Sequence, residues 1–170
     1  FFFKQKTAYE ISTRDWSSDV CSSDLITAYA SFGTEPSTDE LLADASAAGY
    51  TVLLPRISGI TLEWATADDG MLVSGRIREP VGPAQDLLPV RALLVPALAV
   101  SPDGARLGKG GGFYDRVIAS LPTGADRPCI AALVRDEDIW PAGAIPTEDF
   151  DRHVDVVITP MRVLVCAADD

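Results

Sequence analysis

The stretch from Ala92 to Phe113 constrains the fold more than any other part of the chain. Its first nine residues, ALLVPALAV, hold no charged or polar side chain, which fits a strand buried on both faces, as in a parallel sheet covered by helices. Ser101-Pro102-Asp103-Gly104 then turns the chain, Arg106-Leu107-Gly108-Lys109-Gly110-Gly111-Gly112 follows, and a helix is expected from about Phe113 to Leu121. A buried strand feeding a glycine loop and a helix puts the loop at the carboxyl end of the strand, where open α/β sheets bind ligands.

The flanking segments extend the same architecture. Ile26 to Ser31 reads as a buried strand. Ser37 with Glu40 has capping-box spacing, Leu41, Leu42, Ala45 and Ala48 share one helical face, and Gly49 stands where a C-terminal cap belongs. Tyr50 to Ile57 is the next strand, which completes a βαβ unit. Thr61 to Ala67 is a further candidate strand, residues 68 to 89 read as loop, and Cys129 to Val134 and Val154 to Thr159 are later strands. The order predicts one three-layer α/β/α domain with a largely parallel, Rossmann-like sheet.

Composition narrows the function classes. With 170 residues and 47% hydrophobic content the chain suits a single core. No run reaches the roughly 20 apolar residues of a membrane span. A net charge of -11 opposes a broad nucleic-acid footprint, so any phosphate must be held locally. Cys21, Cys129 and Cys166 are odd in number and unrelated in spacing, which fits neither a disulfide framework nor a zinc site. A reducing cytoplasm is the expected compartment, and a monomer the expected state.

Residues 1 to 25, FFFKQKTAYEISTRDWSSDVCSSDL, show no sustained period and no signal-peptide pattern. Back-translated, KQKTAYEI and DWSSDVCSSDL resemble sequencing-library adapter text. The segment is therefore expected to lie outside the domain, which is placed at 26-165 with a tail at 166-170. Without it Lys+Arg falls from 14 to 11 and Asp+Glu from 25 to 21, leaving a charge of -10.

The glycine loop carries the chemistry. Four glycines allow backbone N–H groups to approach an anion, the helix start adds partial positive charge, and Arg106 and Lys109 add full charges. The loop is neither a Walker A sequence nor a GxGxxG turn at the usual spacing. From these residues alone it is either a phosphate cradle or a plain flexible turn.

The longer run LLVPALAVSPDGARLGKGGGFYDRVI closely resembles the signature of the 5-formyltetrahydrofolate cyclo-ligase (5,10-methenyltetrahydrofolate synthetase) family. AYASFGTEPST, the strand at Gly49 to Pro55, IREP at Ile77 to Pro80 and PTEDFDRHVDVVITP resemble that family in the same order. The resemblance implies ATP-driven conversion of 5-formyltetrahydrofolate to 5,10-methenyltetrahydrofolate, with ADP and phosphate released. In the family mechanism the formyl oxygen attacks the γ-phosphate and N10 then closes the ring. It further implies that Arg106, Leu107, Gly108, Lys109, Gly110, Gly111, Gly112, Phe113 and Tyr114 line ATP, with Arg106 and Lys109 as catalytic cations. Ala30, Glu35, Lys109, Gly110, Gly111, Gly112 and Phe113 are implied on the folate side, and Asp115 and Asp151 as ligands of Mg2+.

Ordinary alternatives stand beside each role: a first-turn Asp favoured by the helix dipole for Asp115, a solvated loop carboxylate for Asp151, a surface charge for Glu35, and core anchors for Phe113 and Tyr114. The chain also departs from the family. Phe150 stands where a His is usual, His153 is expected in a solvated loop, and the family's basic N-terminal helix has no counterpart in residues 1 to 25. An inactive nucleotide or folate binder and a sugar-phosphate isomerase or CoA-transferase-like protein of related fold remain the alternative readings.

Overall fold

The structure is a computed structural model, and it describes residues 24–68, 70–74 and 77–166. Residues 1–23 of the adapter-like segment and 167–170 of the expected tail lie outside the described residues. The element order is β1 (Leu25–Thr27), α1 (Asp39–Ala47), β2 (Thr51–Ser58), β3 (Thr61–Thr66), β4 (Met71–Ser74), β5 (Ile77–Pro80), β6 (Ala92–Pro96), β7 (Ala99–Val100), β8 (Arg106–Leu107), α2 (Phe113–Ser120), β9 (Cys129–Leu133), β10 (Val156–Ile158) and β11 (Val163–Val165).

Seven strands form the main sheet in the order β11-β10-β9-β6-β1-β2-β3. The five inner strands are mutually parallel, whereas β11 and β3 close the edges antiparallel. The expected largely parallel α/β sheet is therefore present. Alternation along the strands divides its apolar side chains between two faces. Leu53, Leu93, Val95, Ile130, Ala132 and Val157 point to one face, where Tyr114, Val117, Ile118 and Leu121 of the α2 segment pack. That i, i+3, i+4, i+7 spacing is what makes α2 cover a sheet. Leu54, Leu94, Ala131, Leu133 and Ile158 point the other way and meet Leu41 and Leu42 of α1. The two helices thus supply the outer layers on opposite faces.

Local details differ from expectation where side chains found better partners. The helix-capping hydroxyl is not that of Ser37: Thr38 is the N-cap, but its Oγ1 donates to Tyr29 O at 2.7 Å and accepts from Ser31 N at 3.0 Å, so it makes no cap bond. Gly49 does end α1 as expected, with φ +91° and Tyr50 N bonded to Ala45 O. The run Ala92 to Val100 is not one strand. It leaves the main sheet after Pro96, and β7 pairs instead with β8 at the start of the glycine loop. The segment expected as loop holds the β4–β5 hairpin. β11 was not anticipated, since three residues are too few to show a period.

Leu25 and Cys166 both pack into the core. His153 is half-buried rather than solvated. No helix among the described residues is long and apolar enough to cross a membrane.

Candidate functional site

The carboxyl ends of β1, β2 and β6 open onto one cleft of about 530 Å³. Parallel strands make this possible: their following loops all leave at the same edge of the sheet. Three segments build the walls. The β1–α1 connection contributes Tyr29, Ala30, Phe32 and Glu35, the loop from β8 into α2 contributes every residue from Arg106 to Asp115, and the β9–β10 connection contributes Pro146, Phe150 and Asp151. All residues singled out from the sequence therefore border a single cavity.

The glycine loop has the geometry its composition suggests. Gly110 and Gly112 take φ +81° and +62°, and Gly112 is the N-cap of α2. Among the described residues, the backbone amides from Gly108 to Gly112 meet no acceptor. Unpaired amides at a helix start form an anion-compatible surface. Arg116 ties the loop down, donating through Nη2 to Gly111 O at 3.0 Å and through Nε to Ile60 O at 3.0 Å.

Two ion pairs hold the site's charges against one another. Arg106 Nη2 contacts Asp115 Oδ1, with only 7% and 17% of the side chains exposed. Asp115 Oδ1 also accepts from Arg152 N at 3.2 Å, which draws the Asp151 segment to the start of α2. Across the cleft Lys109 Nζ reaches Glu35 Oε1 at 2.6 Å and lies 3.8 Å from the centre of the Phe32 ring. Glu35 is 7% exposed, and its other oxygen accepts from Phe32 N at 3.0 Å. Lys109 thus faces the Glu35 wall.

The two phenols beside this pair are strongly perturbed. Burial raises the pKa of Tyr114 above the ordinary tyrosine value, and the charges of Tyr29 and Glu35 add to the rise while Arg106 opposes it. Burial, then the Glu35 charge, raises Tyr29 in the same direction. Both remain neutral at physiological pH.

Among the described residues no cluster of three or more His, Cys, Asp or Glu side chains is arranged to hold a metal alone. Asp115 and Asp151 nevertheless fit a Mg2+ ion that keeps several waters and is held partly by phosphates. Each uses one oxygen internally, Asp115 Oδ1 as above and Asp151 Oδ2 on Glu148 N at 2.8 Å. The other oxygen of each has no donor among the described residues.

Sequence reasoning missed several side chains of this cleft: Tyr29, Arg56, Ile57, Arg78 and Glu79. Arg78 and Glu79 lie within IREP, whose position in β5 brings them to the cleft. Arg78 Nη2 pairs with Asp39 at 2.7 Å and Glu79 Oε1 accepts from Ile57 N at 2.9 Å. The pairing of β5 with β4, which places them there, leaves no mark in such a short segment.

Fold and cleft together define an α/β protein of the parallel-sheet class, with an anion-compatible glycine loop at the carboxyl edge. The chain belongs to the 5-formyltetrahydrofolate cyclo-ligase family, whose model matches residues 4–160. It is 37% identical over 151 residues to 5-formyltetrahydrofolate cyclo-ligase of Mycolicibacterium smegmatis, covering 82% of this chain and 75% of that one. The Escherichia coli K12 cyclo-ligase is 28% identical over 147 residues, covering 81% and 79%. Among solved structures, 5,10-methenyltetrahydrofolate synthetase of Aquifex aeolicus superposes with a TM-score of 0.69 at 21% identity, over 87% of this chain and 74% of the other. That likeness speaks to the fold.

Proposed function

We propose that this cleft carries out the family reaction, the ATP-dependent closure of 5-formyltetrahydrofolate to 5,10-methenyltetrahydrofolate with release of ADP and phosphate. One observation carries the assignment to these residues: the basic glycine loop and the buried carboxylate of Glu35 face each other across the same cavity. A phosphate and a ring bearing N–H donors can therefore be held side by side.

The substrate's own formyl oxygen is the nucleophile toward the γ-phosphate, so no protein nucleophile is needed. The protein's task is alignment and charge stabilisation. The free amides of Gly108 to Gly112 and the start of α2 would hold the triphosphate, and Arg106 and Lys109 would move from their carboxylate partners to phosphate oxygens. Glu35, released by Lys109, would accept from the pterin N–H groups. Asp115 and Asp151 would hold Mg2+, which when bound supplies charge neutralisation to the phosphates. Ala30 and Phe113 would form apolar wall on either side of the folate, with Leu107 and Tyr114 backing the nucleotide.

The test follows methenyltetrahydrofolate formation by its absorbance, with calorimetric titrations of ATP and 5-formyltetrahydrofolate alongside. The proposal expects absorbance growth that requires both ligands. Binding of both without turnover would instead support an inactive binder, and binding of neither would remove the assignment.

A further inference from the structure

Tyr29 sits two residues beyond β1 and lines the cleft, yet only 4% of it is exposed. Its position is fixed by backbone. Ala28 N bonds to Leu53 O at 3.0 Å, Tyr29 O accepts from Thr38 Oγ1 at 2.7 Å, and Ser31 and Thr38 exchange two further bonds at 3.0 and 3.1 Å. Tyr29 is thus held in the cleft wall by a braced loop, and among the described residues its buried hydroxyl makes no bond of its own there.

Its hydroxyl is buried without a hydrogen-bond partner among the described residues. Such a group is uncommon, because burial removes its bonds to water and nothing replaces them. A braced, unpartnered hydroxyl in a ligand cleft is a position waiting for a ligand atom. Burial and the neighbouring Glu35 charge keep the phenol protonated, so it has a proton to give. Glu35 itself, ion-paired with Lys109, offers acceptors only. The cleft therefore presents a donor and an acceptor side by side.

We propose that Tyr29 is a specificity-determining residue that donates to the 4-oxo oxygen of the substrate's 2-amino-4-oxo ring while Glu35 accepts from the adjacent ring N–H groups. The inference deepens the folate reading of this cleft and rests on it. It gives the site a means of rejecting a ring with a donor at that position. A 4-amino group could only donate to the phenol oxygen, leaving the buried phenol proton unpaired.

Tyr29→Phe keeps the shape and removes the hydroxyl. Four quantities decide the matter: the Tm of the ligand-free protein, and calorimetric Kd values for 5-formyltetrahydrofolate, for a folate analogue carrying 4-amino in place of 4-oxo, and for ATP. The free protein should melt at the same temperature or higher, since a buried unpaired group is lost. Affinity for 5-formyltetrahydrofolate should fall about tenfold, that for ATP should hold, and the preference for 4-oxo over 4-amino should shrink by about the same factor. A Tm several degrees lower would show that the hydroxyl serves the fold, and unchanged or equally weakened binding of both rings would also overturn the proposal. Failure of the unsubstituted chain to bind 5-formyltetrahydrofolate would overturn the functional reading along with it, whereas normal binding by that chain and an unaffected Tyr29→Phe variant would overturn this inference alone.

Discussion

The two long walls of the cleft are built on opposite principles. The Tyr29–Thr38 wall is braced internally: Ser31 and Thr38 bond to each other twice, Thr38 bonds to Tyr29, and Glu35 folds back on Phe32. The Gly108–Gly112 wall has no such brace among its own residues and is held from outside by Arg116 and by the Arg106–Asp115 pair. A wall that recognises a flat ring with fixed donors needs fixed side chains. A wall that surrounds a phosphate needs free amides, and every internal bond would consume one. Order in one wall and availability in the other are thus two answers to different ligand chemistry.

The sharpest way to break this contrast is Arg106→Ala. Both members of the pair are largely buried, and removing one leaves the other charge without compensation, a loss of about 3 kcal/mol in stability. If Arg106 also contacts phosphate, kcat/KM should drop by about a hundredfold or more. Urea denaturation and steady-state kinetics read the two effects separately. Full retention of stability would mean that the glycine wall is not held by this pair.

Gly104→Ala and Gly110→Ala separate support from ligand surface. Both residues have positive φ, +85° and +81°, so each substitution carries about 1–2 kcal/mol of left-handed strain. At Gly104 the new Cβ would also lie 2.6 Å from Val154 O, a backbone atom that cannot withdraw, whereas at Gly110 nothing lies within 4 Å. Gly104→Ala should therefore be the more destabilising by about 1 kcal/mol or more. Gly110→Ala should show its main effect as a higher KM for ATP. Equal losses of stability would erase the distinction between the turn below the loop and the loop itself.

Smaller effects are expected where the walls touch. Glu35→Ala should raise the folate KM about tenfold, because donors of the bound ring lose their buried acceptor. Lys109→Ala should weaken ATP by only a few-fold, since the ammonium is 51% exposed and its charge is screened. An effect of Lys109→Ala confined to folate would show that Lys109 stays with Glu35 when nucleotide binds, against its proposed transfer to phosphate.

The same contrast explains what could be read from sequence. The glycine wall is written locally: strand, turn, glycines and helix start follow one another between Ala92 and Phe113, so spacing alone placed them. The parallel sheet was legible because its inner strands are short apolar runs separated by helix or loop signals. Arg78 reaches the cleft through β5, whose antiparallel pairing with β4 depends on register between segments with little pattern of their own, whereas Arg56 lies on the anticipated strand β2, where no local signal marks it as a cleft residue. Ser37 carried a misleading signal: its spacing to Glu40 suggests a capping box, yet Thr38 is the N-cap and its hydroxyl is drawn into bracing the Tyr29 wall. The apolar run from Ala92 to Val100 reads as one strand, but after Pro96 its course is decided by pairing with Arg106–Leu107.

The smallest effect concerns the edge of the sheet opposite the cleft, at the amino end of β9. Cys129 and Cys166 are both buried there, and burial first, with the Asp155 charge adding, pushes each thiol from an ordinary 9.0 up to about 11. Neutral thiols are favoured by the fold, so this contribution to stability is complete below about pH 9 and is lost as pH rises toward 11. At pH 8 only about one thiol in a thousand would be ionised in the folded chain, and alkylation by iodoacetamide should run at least about a hundredfold slower than in denaturant. Peptide mass spectrometry would follow these two sites apart from Cys21. Because they sit at the amino end of β9, whereas the cleft lies at the carboxyl ends of the parallel strands, saturation with ATP should slow their labelling only as far as it raises the stability of the whole domain. A larger protection than the measured stability gain accounts for would show that the loose and braced walls are coupled to the far edge of the sheet, and that the division of labour between them is not confined to the cleft.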